Sequence, residues 1–152
     1  MMMILRSMGY EDILKVVKGK RTAVWTCNTC ARMCGPGGQD AAARLTAKLT
    51  DDGVNVSSCV SVSAACLMSK VISKMQETTN DVDIVVALTC DIGVTCISKI
   101  FKKDVLAPLI TVGYGYMDEN GVPIVTSYNG TETSSPLSKI AEEKGMNTDS
   151  AV

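Results

Sequence analysis

The sequence predicts an α/β fold: a small, open, mostly parallel sheet flanked by helices, with a hairpin or extension at its C-terminal end. Three observations carry this. Short apolar runs alternate with helical stripes from Thr22 to Thr111, and strand–helix alternation builds parallel sheets joined by right-handed crossovers. One run, Ile84-Val85-Val86-Ala87-Leu88, is unbroken, as suits a strand buried on both faces. Asn120-Gly121, between residues 114–116 and 123–125, is a hairpin-turn signal.

The elements follow in order. Tyr10, Ile13, Leu14, Val16 and Val17 make a short amphipathic helix over residues 9–18, before the basic turn Lys18-Gly19-Lys20-Arg21. Residues 22–26 form a compact apolar run bounded by charge and cysteine, a buried strand. Ala42, Leu45 and Leu49 recur at helical spacing over residues 38–49, and Asp51-Asp52-Gly53 closes that helix. Val54, Val56, Ser58 and Val60 alternate as a second strand; Leu67, Met68, Val71, Ile72 and Met75 form a second helical stripe. After the strand at residues 83–88, Ile97, Ile100 and Phe101 mark a third helix. Residues 105–111 suggest a fourth strand, with Pro108 better suited to an edge than to a centre. Beyond Asn129 the chain turns polar, with one short helix over residues 137–144 and a tail expected to fray. The expected division is one α/β metal-cluster domain over residues 1–130, with an N-terminal helix, and a polar tail over residues 131–152.

Composition narrows the function. A chain of 152 residues is long enough for one domain with a proper core. Fifteen basic against sixteen acidic residues leave a net charge of −1, which is no electrostatic footprint for nucleic acid. No apolar run reaches the roughly 18 residues of a spanning helix. The hydrophobic opening Met1-Met2-Met3-Ile4-Leu5 is stopped by Arg6, short of a signal-peptide core. A cytoplasmic, reducing setting is therefore expected, and there seven cysteines argue for metal or redox chemistry rather than disulfides. With no histidine, a metal site must rely on thiolates. A Ser–His or Cys–His nucleophile pair is excluded for the same reason, and no paired acidic motif stands out.

Ligands in open parallel sheets bind beyond the carboxyl ends of the strands, and that rule organises the cysteines. Cys27 directly follows the first expected strand, and Cys30 and Cys34 lie in the loop after it. Cys59 is expected at the end of the second strand, with Cys66 opening the helix behind it, and Cys90 follows the strongest strand. Three chain segments thus bring thiols to one sheet edge. Four thiolates complete either an iron–sulfur cubane or a tetrahedral zinc site. Gly35, Gly37 and Gly38, within Cys34-Gly35-Pro36-Gly37-Gly38, are candidate cofactor-binding residues, since such a nest lets backbone N–H groups approach cluster sulfurs. The lysine and spacing of a phosphate loop are missing. Cys27-x2-Cys30 alone also reads as a thioredoxin-like redox pair, although Gly-Pro-Gly-Gly delays the helix that usually follows at once. Cys96, beside the apolar stripe, reads as a packed thiol, and Cys59 as ligand or filler alike. The methionines fall in the core stripes, and Tyr114 and Tyr116 read as hairpin packing.

The stretch Thr26-Cys27-Asn28-Thr29-Cys30-Ala31-Arg32-Met33-Cys34-Gly35-Pro36-Gly37-Gly38, followed by a helix and Asp52-Gly53-Val54, resembles the small MetV-type subunit of methylenetetrahydrofolate reductase and the matching C-terminal domain of fused reductases. The strand ending in Thr89-Cys90-Asp91-Ile92-Gly93-Val94 is similar to that family's strand ending in Cys-Gly-x-Gly. The likeness covers about residues 20–112. Asp91 stands where the family usually has glycine, and no cysteine follows Cys96, whereas the family commonly continues into a second cysteine-rich segment. The resemblance implies iron–sulfur chemistry (older descriptions invoke zinc) beside a flavoprotein reductase subunit and other electron-transfer subunits in anaerobic one-carbon metabolism. It implies ligands at Cys27, at Cys30 or Cys34, at Cys66 and at Cys90. The leading expectation is an electron-transfer subunit with one [4Fe–4S] cluster. A structural zinc scaffold and a thiol–disulfide oxidoreductase using Cys27 and Cys30 are the alternatives.

Overall fold

The computed structural model describes residues 1–6 and 8–145. In chain order the elements are β1 (Met2–Arg6), α1 (Tyr10–Val17), β2 (Thr22–Cys27), α2 (Cys30–Met33), α3 (Gln39–Asp51), β3 (Val56–Val62), α4 (Met68–Lys74), β4 (Ile84–Leu88), α5 (Asp91–Ile100), β5 (Asp104–Leu106), β6 (Leu109–Met117), β7 (Pro123–Tyr128), β8 (Thr131–Pro136) and α6 (Leu137–Glu143). A 3-10 turn over Met75–Glu77 extends α4.

The first sheet is parallel, in the order β3-β2-β4-β5. Its centre is made by the two most apolar strands: every residue of β2 and of β4 is buried, as strands covered on both faces must be. From β2 the chain crosses outward through α3 to the edge strand β3. It then returns past β2 through α4 to β4, and continues through α5 to β5. Right-handed crossovers in opposite directions put α3 on one face and α4 with α5 on the other. The contacts agree: α3 packs on β2 and β3, and α4 packs against α5. The α1 helix is tied to α3 by the Tyr10 hydroxyl, which donates to Asp52 Oδ2 at 2.5 Å with Lys48 O at 3.1 Å. Trp25, fully buried in β2, gives its indole N–H to Thr78 Oγ1 at 2.8 Å and meets Phe101 edge-on, the ring centroids 5.0 Å apart.

The second sheet is antiparallel, in the order β1-β6-β7-β8. Met3, Val112, Val125, Leu137, Ile140 and Ala141 form a small core of their own under α6. The β6–β7 turn is built on Asp118 Oδ1, which accepts the N–H groups of Asn120 and Val122.

The α/β class and the expected helices are present, and the hairpin falls around Asn120-Gly121. The parallel arrangement, however, holds for one sheet of two. The run expected as a single fourth strand is divided by Ala107-Pro108 into β5 and β6, which belong to different sheets; proline offers no N–H to a ladder there. The hydrophobic opening supplies β1, which pairs with β6. Residues 131–136, expected as tail, form β8, an edge strand of largely polar residues, none of them buried, that alternation alone would not reveal. The short helix expected over residues 137–144 is α6; residues 146–152 of the expected tail lie outside the described residues. Among the described residues no helix is long and apolar enough to cross a membrane.

One buried hydroxyl joins three elements at the sheet's carboxyl edge. Thr26 Oγ1 donates to Leu88 O at 3.2 Å, from β2 to β4, and accepts the Gly38 N–H at 2.8 Å, at the start of α3. Thr26→Val keeps the shape but leaves a buried donor and a buried acceptor unpaired. It should lower stability by about 1–3 kcal/mol, seen as a lower urea midpoint at unchanged slope.

Candidate metal centre

The strand order reverses between β2 and β4, since the crossover from β2 leads to one side of it and the next leads back to the other. Such a switch point opens a crevice at the carboxyl ends of the two strands. Cys27 is the last residue of β2, Cys30 opens α2 directly after it, and Cys90 is the N-cap of α5 directly after β4. Cys66 lies in the loop between β3 and α4. Cys27 and Cys90 are buried, Cys30 is half-buried and Cys66 is exposed.

These four thiols lie near one another. The Cys66 thiol is pushed up from its ordinary pKa, first by desolvation and then by Cys27, with Cys90 and Cys30 adding to the effect. One side chain thus feels thiols from both of the other strand ends. The loop carrying it is pinned. Ala65 donates its N–H to Cys27 Sγ at 3.5 Å. Thr29 Oγ1 bonds Ser63 O, Asn28 Nδ2 donates to Ser61 Oγ at 2.5 Å, and the Cys96 thiol reaches Cys66 O at 3.6 Å. Among the described residues no group of three or more His, Cys, Asp or Glu side chains is drawn together closely enough to hold a metal ion.

The other cysteines stand differently. Cys34 follows α2, and its thiol sits 3.6 Å from Met2 O and 3.9 Å from Met3 Sδ, against β1. It packs on both hydrophobic cores, and burial, with Cys30 nearby, pushes its pKa up. Cys59 is not at the end of β3 but in its middle, beside Val24, with its side chain exposed. The second strand runs to Val62, two residues beyond its last expected apolar position, because the edge strand continues as long as β2 offers partners. Cys96 is the buried helical thiol expected.

Gly35, Gly37 and Gly38 form the tight loop, but their N–H groups are already taken, by Arg32 O, Ala31 O and Thr26 Oγ1. The glycines serve close approach: a Cβ on Gly37 would lie 2.5 Å from Ala31 Cβ and 3.1 Å from Leu88 O, and Gly38 holds φ at +94°. Beside the loop is a polar cavity of about 350 Å³, walled in part by Arg32, Gln39 and Arg44. Asn28 is a tie at the sheet's carboxyl edge that motif spacing did not single out. Its Oδ1 accepts the Gln39 N–H at 2.9 Å while its Nδ2 reaches Ser61, so one amide holds the start of α3 and the end of β3 together. Its place between Cys27 and Cys30 was visible in the sequence, but its partners are 11 and 33 residues away.

The raised pKa of Cys66 has a direct consequence, because the thiolate is the reactive form. In metal-free protein its alkylation by iodoacetamide should lag behind that of a small free thiol at pH 8. The gap should narrow as the pH is raised above the ordinary thiol range, as followed residue by residue by mass spectrometry. Among known proteins, no family model matches this chain, and no curated protein or solved structure is significantly similar to it.

Proposed function

We propose that the chain is an electron-transfer subunit that holds one [4Fe–4S] cluster on Cys27, Cys30, Cys66 and Cys90 and works beside a flavoprotein, in a complex of the methylenetetrahydrofolate reductase type. The observation that carries the reading is the Cys66 thiol, perturbed at once by Cys27, Cys90 and Cys30. The donor set suits the group: all four ligands are sulfur, as iron–sulfur clusters favour.

The cluster supplies the capacity to accept and release one electron. The chain's own residues do the rest. Buried Cys27 and Cys90 keep water from the inner side, and the Ala65 N–H donated to Cys27 Sγ fixes that sulfur in place. Cys66, exposed, forms the outer edge at which electrons enter and leave. Cys34 is assigned a packing role, since its thiol is engaged by β1 rather than by the strand ends. The chain has no histidine, and we assign the substrate chemistry to the partner.

Anaerobic purification with iron, sulfide and zinc analysis tests this. About four iron and four sulfide per chain with a brown colour are expected. One zinc and a colourless protein would turn the domain into a structural scaffold, and no metal at all would favour a Cys27–Cys30 redox pair. Single Ser replacements divide the cysteines further. Those at Cys27, Cys30, Cys66 and Cys90 should cut iron content several-fold, while Cys34→Ser and Cys59→Ser should retain it.

A further inference from the structure

Thr89 lies between the last residue of β4 and Cys90. It is wholly buried, and its Oγ1 has no hydrogen-bond partner. Leaving a hydroxyl in that state costs about 1–3 kcal/mol, so a valine would suit the metal-free fold better. What surrounds the hydroxyl is informative. Gly93, in the first turn of α5, is so close that a Cβ there would collide with Thr89 Oγ1 and come within 3.0 Å of Ala65 Cβ. Ala65 is the residue that donates to Cys27 Sγ and precedes Cys66. The unpaired hydroxyl therefore sits where the segments bearing Cys27, Cys66 and Cys90 meet, at the N-terminus of the ten-residue helix α5. That helix end favours negative charge, and the missing side chain at Gly93 is what makes room for the hydroxyl there.

We propose that Thr89 is a positioning residue of the sulfur centre: its O–H is donated to a sulfur of the bound cluster, a ligating thiolate or a sulfide, and biases the centre toward its reduced state. The inference rests on the cluster reading. Reduction adds negative charge to the sulfurs, so a donor aimed at them stabilises the reduced form more than the oxidised one and raises the potential. The same contact pairs a hydroxyl that is otherwise buried alone.

The test is a spectroelectrochemical titration of the anaerobically reconstituted full chain, with urea unfolding of the metal-free protein beside it. Thr89→Val should shift the reduction equilibrium about tenfold toward the oxidised form, a potential lower by about 59 mV for one electron, while Thr89→Ser should stay close to wild type. In the metal-free state Thr89→Val should instead raise the urea midpoint, because it removes an unpaired polar atom. A role in packing alone would not move the potential. A wild-type potential in Thr89→Val, or in Thr89→Ala where the valine chain takes up no iron, overturns the proposal. So does a shift in Thr89→Ser as large as that in Thr89→Val. Wild-type protein that takes up no iron removes the cluster reading itself, and this inference with it; wild type that loads normally while the hydroxyl-free chains keep its potential removes this inference alone.

Discussion

Parallel pairing of β2 with both β3 and β4 is the constraint on which the rest of the molecule depends. Strands that run in the same direction must each be followed by a crossover, so every strand of the sheet releases its chain at the same edge. Residues far apart in sequence, at 27, 66 and 90, are thereby brought to one place without any attraction between them. The reversal of strand order between β2 and β4 then opens the crevice in which they meet. Burial on both faces holds this arrangement rigid: β2 and β4 have no exposed residue, and Trp25 anchors β2 with its ring and its N–H satisfied.

The carboxyl edge is also where polar side chains replace the ladder. Beyond the strand ends the backbone has no neighbour to bond, and buried N–H and C=O groups need other partners. Thr26, Asn28 and Thr29 supply them, reaching Leu88, Gly38, Gln39, Ser61 and Ser63. The glycine loop turns its own amides inward for the same reason. Its contribution is to bring α3 close to β2 and β4, not to offer a free cradle. Thr89, at the same edge and in the same kind of position, has no such partner, which sets it apart from Thr26.

The antiparallel sheet has a different relation to the site. It packs on the first domain layer through β1, and Cys34 lies at the seam, touching Met2 and Met3 and belonging to both cores. A thiol that spacing makes equivalent to Cys30 thus packs against the second sheet. Three residues of helix separate Cys30 from Cys34 by about one turn, yet one adjoins the strand ends and the other the second sheet. The two thiols remain near enough for Cys30 to raise the Cys34 pKa, but their packing surroundings differ.

What the sequence by itself determined is the part governed by local periodicity and by chain direction. The runs at residues 22–26 and 84–88 read as buried strands, and the stripes around Leu45, Val71 and Ile97 as helices, and the structure has both. Their alternation required a parallel sheet with Cys27, Cys66 and Cys90 toward one edge. What the tertiary structure decided is the part governed by pairing at long range. The fate of Met2–Arg6 and Thr131–Pro136 depends on β6 and β7, more than 100 residues from one and adjacent to the other, and neither strand carries a pattern of its own. The middle position of Cys59, the partners of Asn28 and the diversion of Cys34 to β1 likewise follow from neighbours that spacing does not name. Side chains at a strand end are placed by whatever the next loop brings beside them, and only the folded chain specifies that.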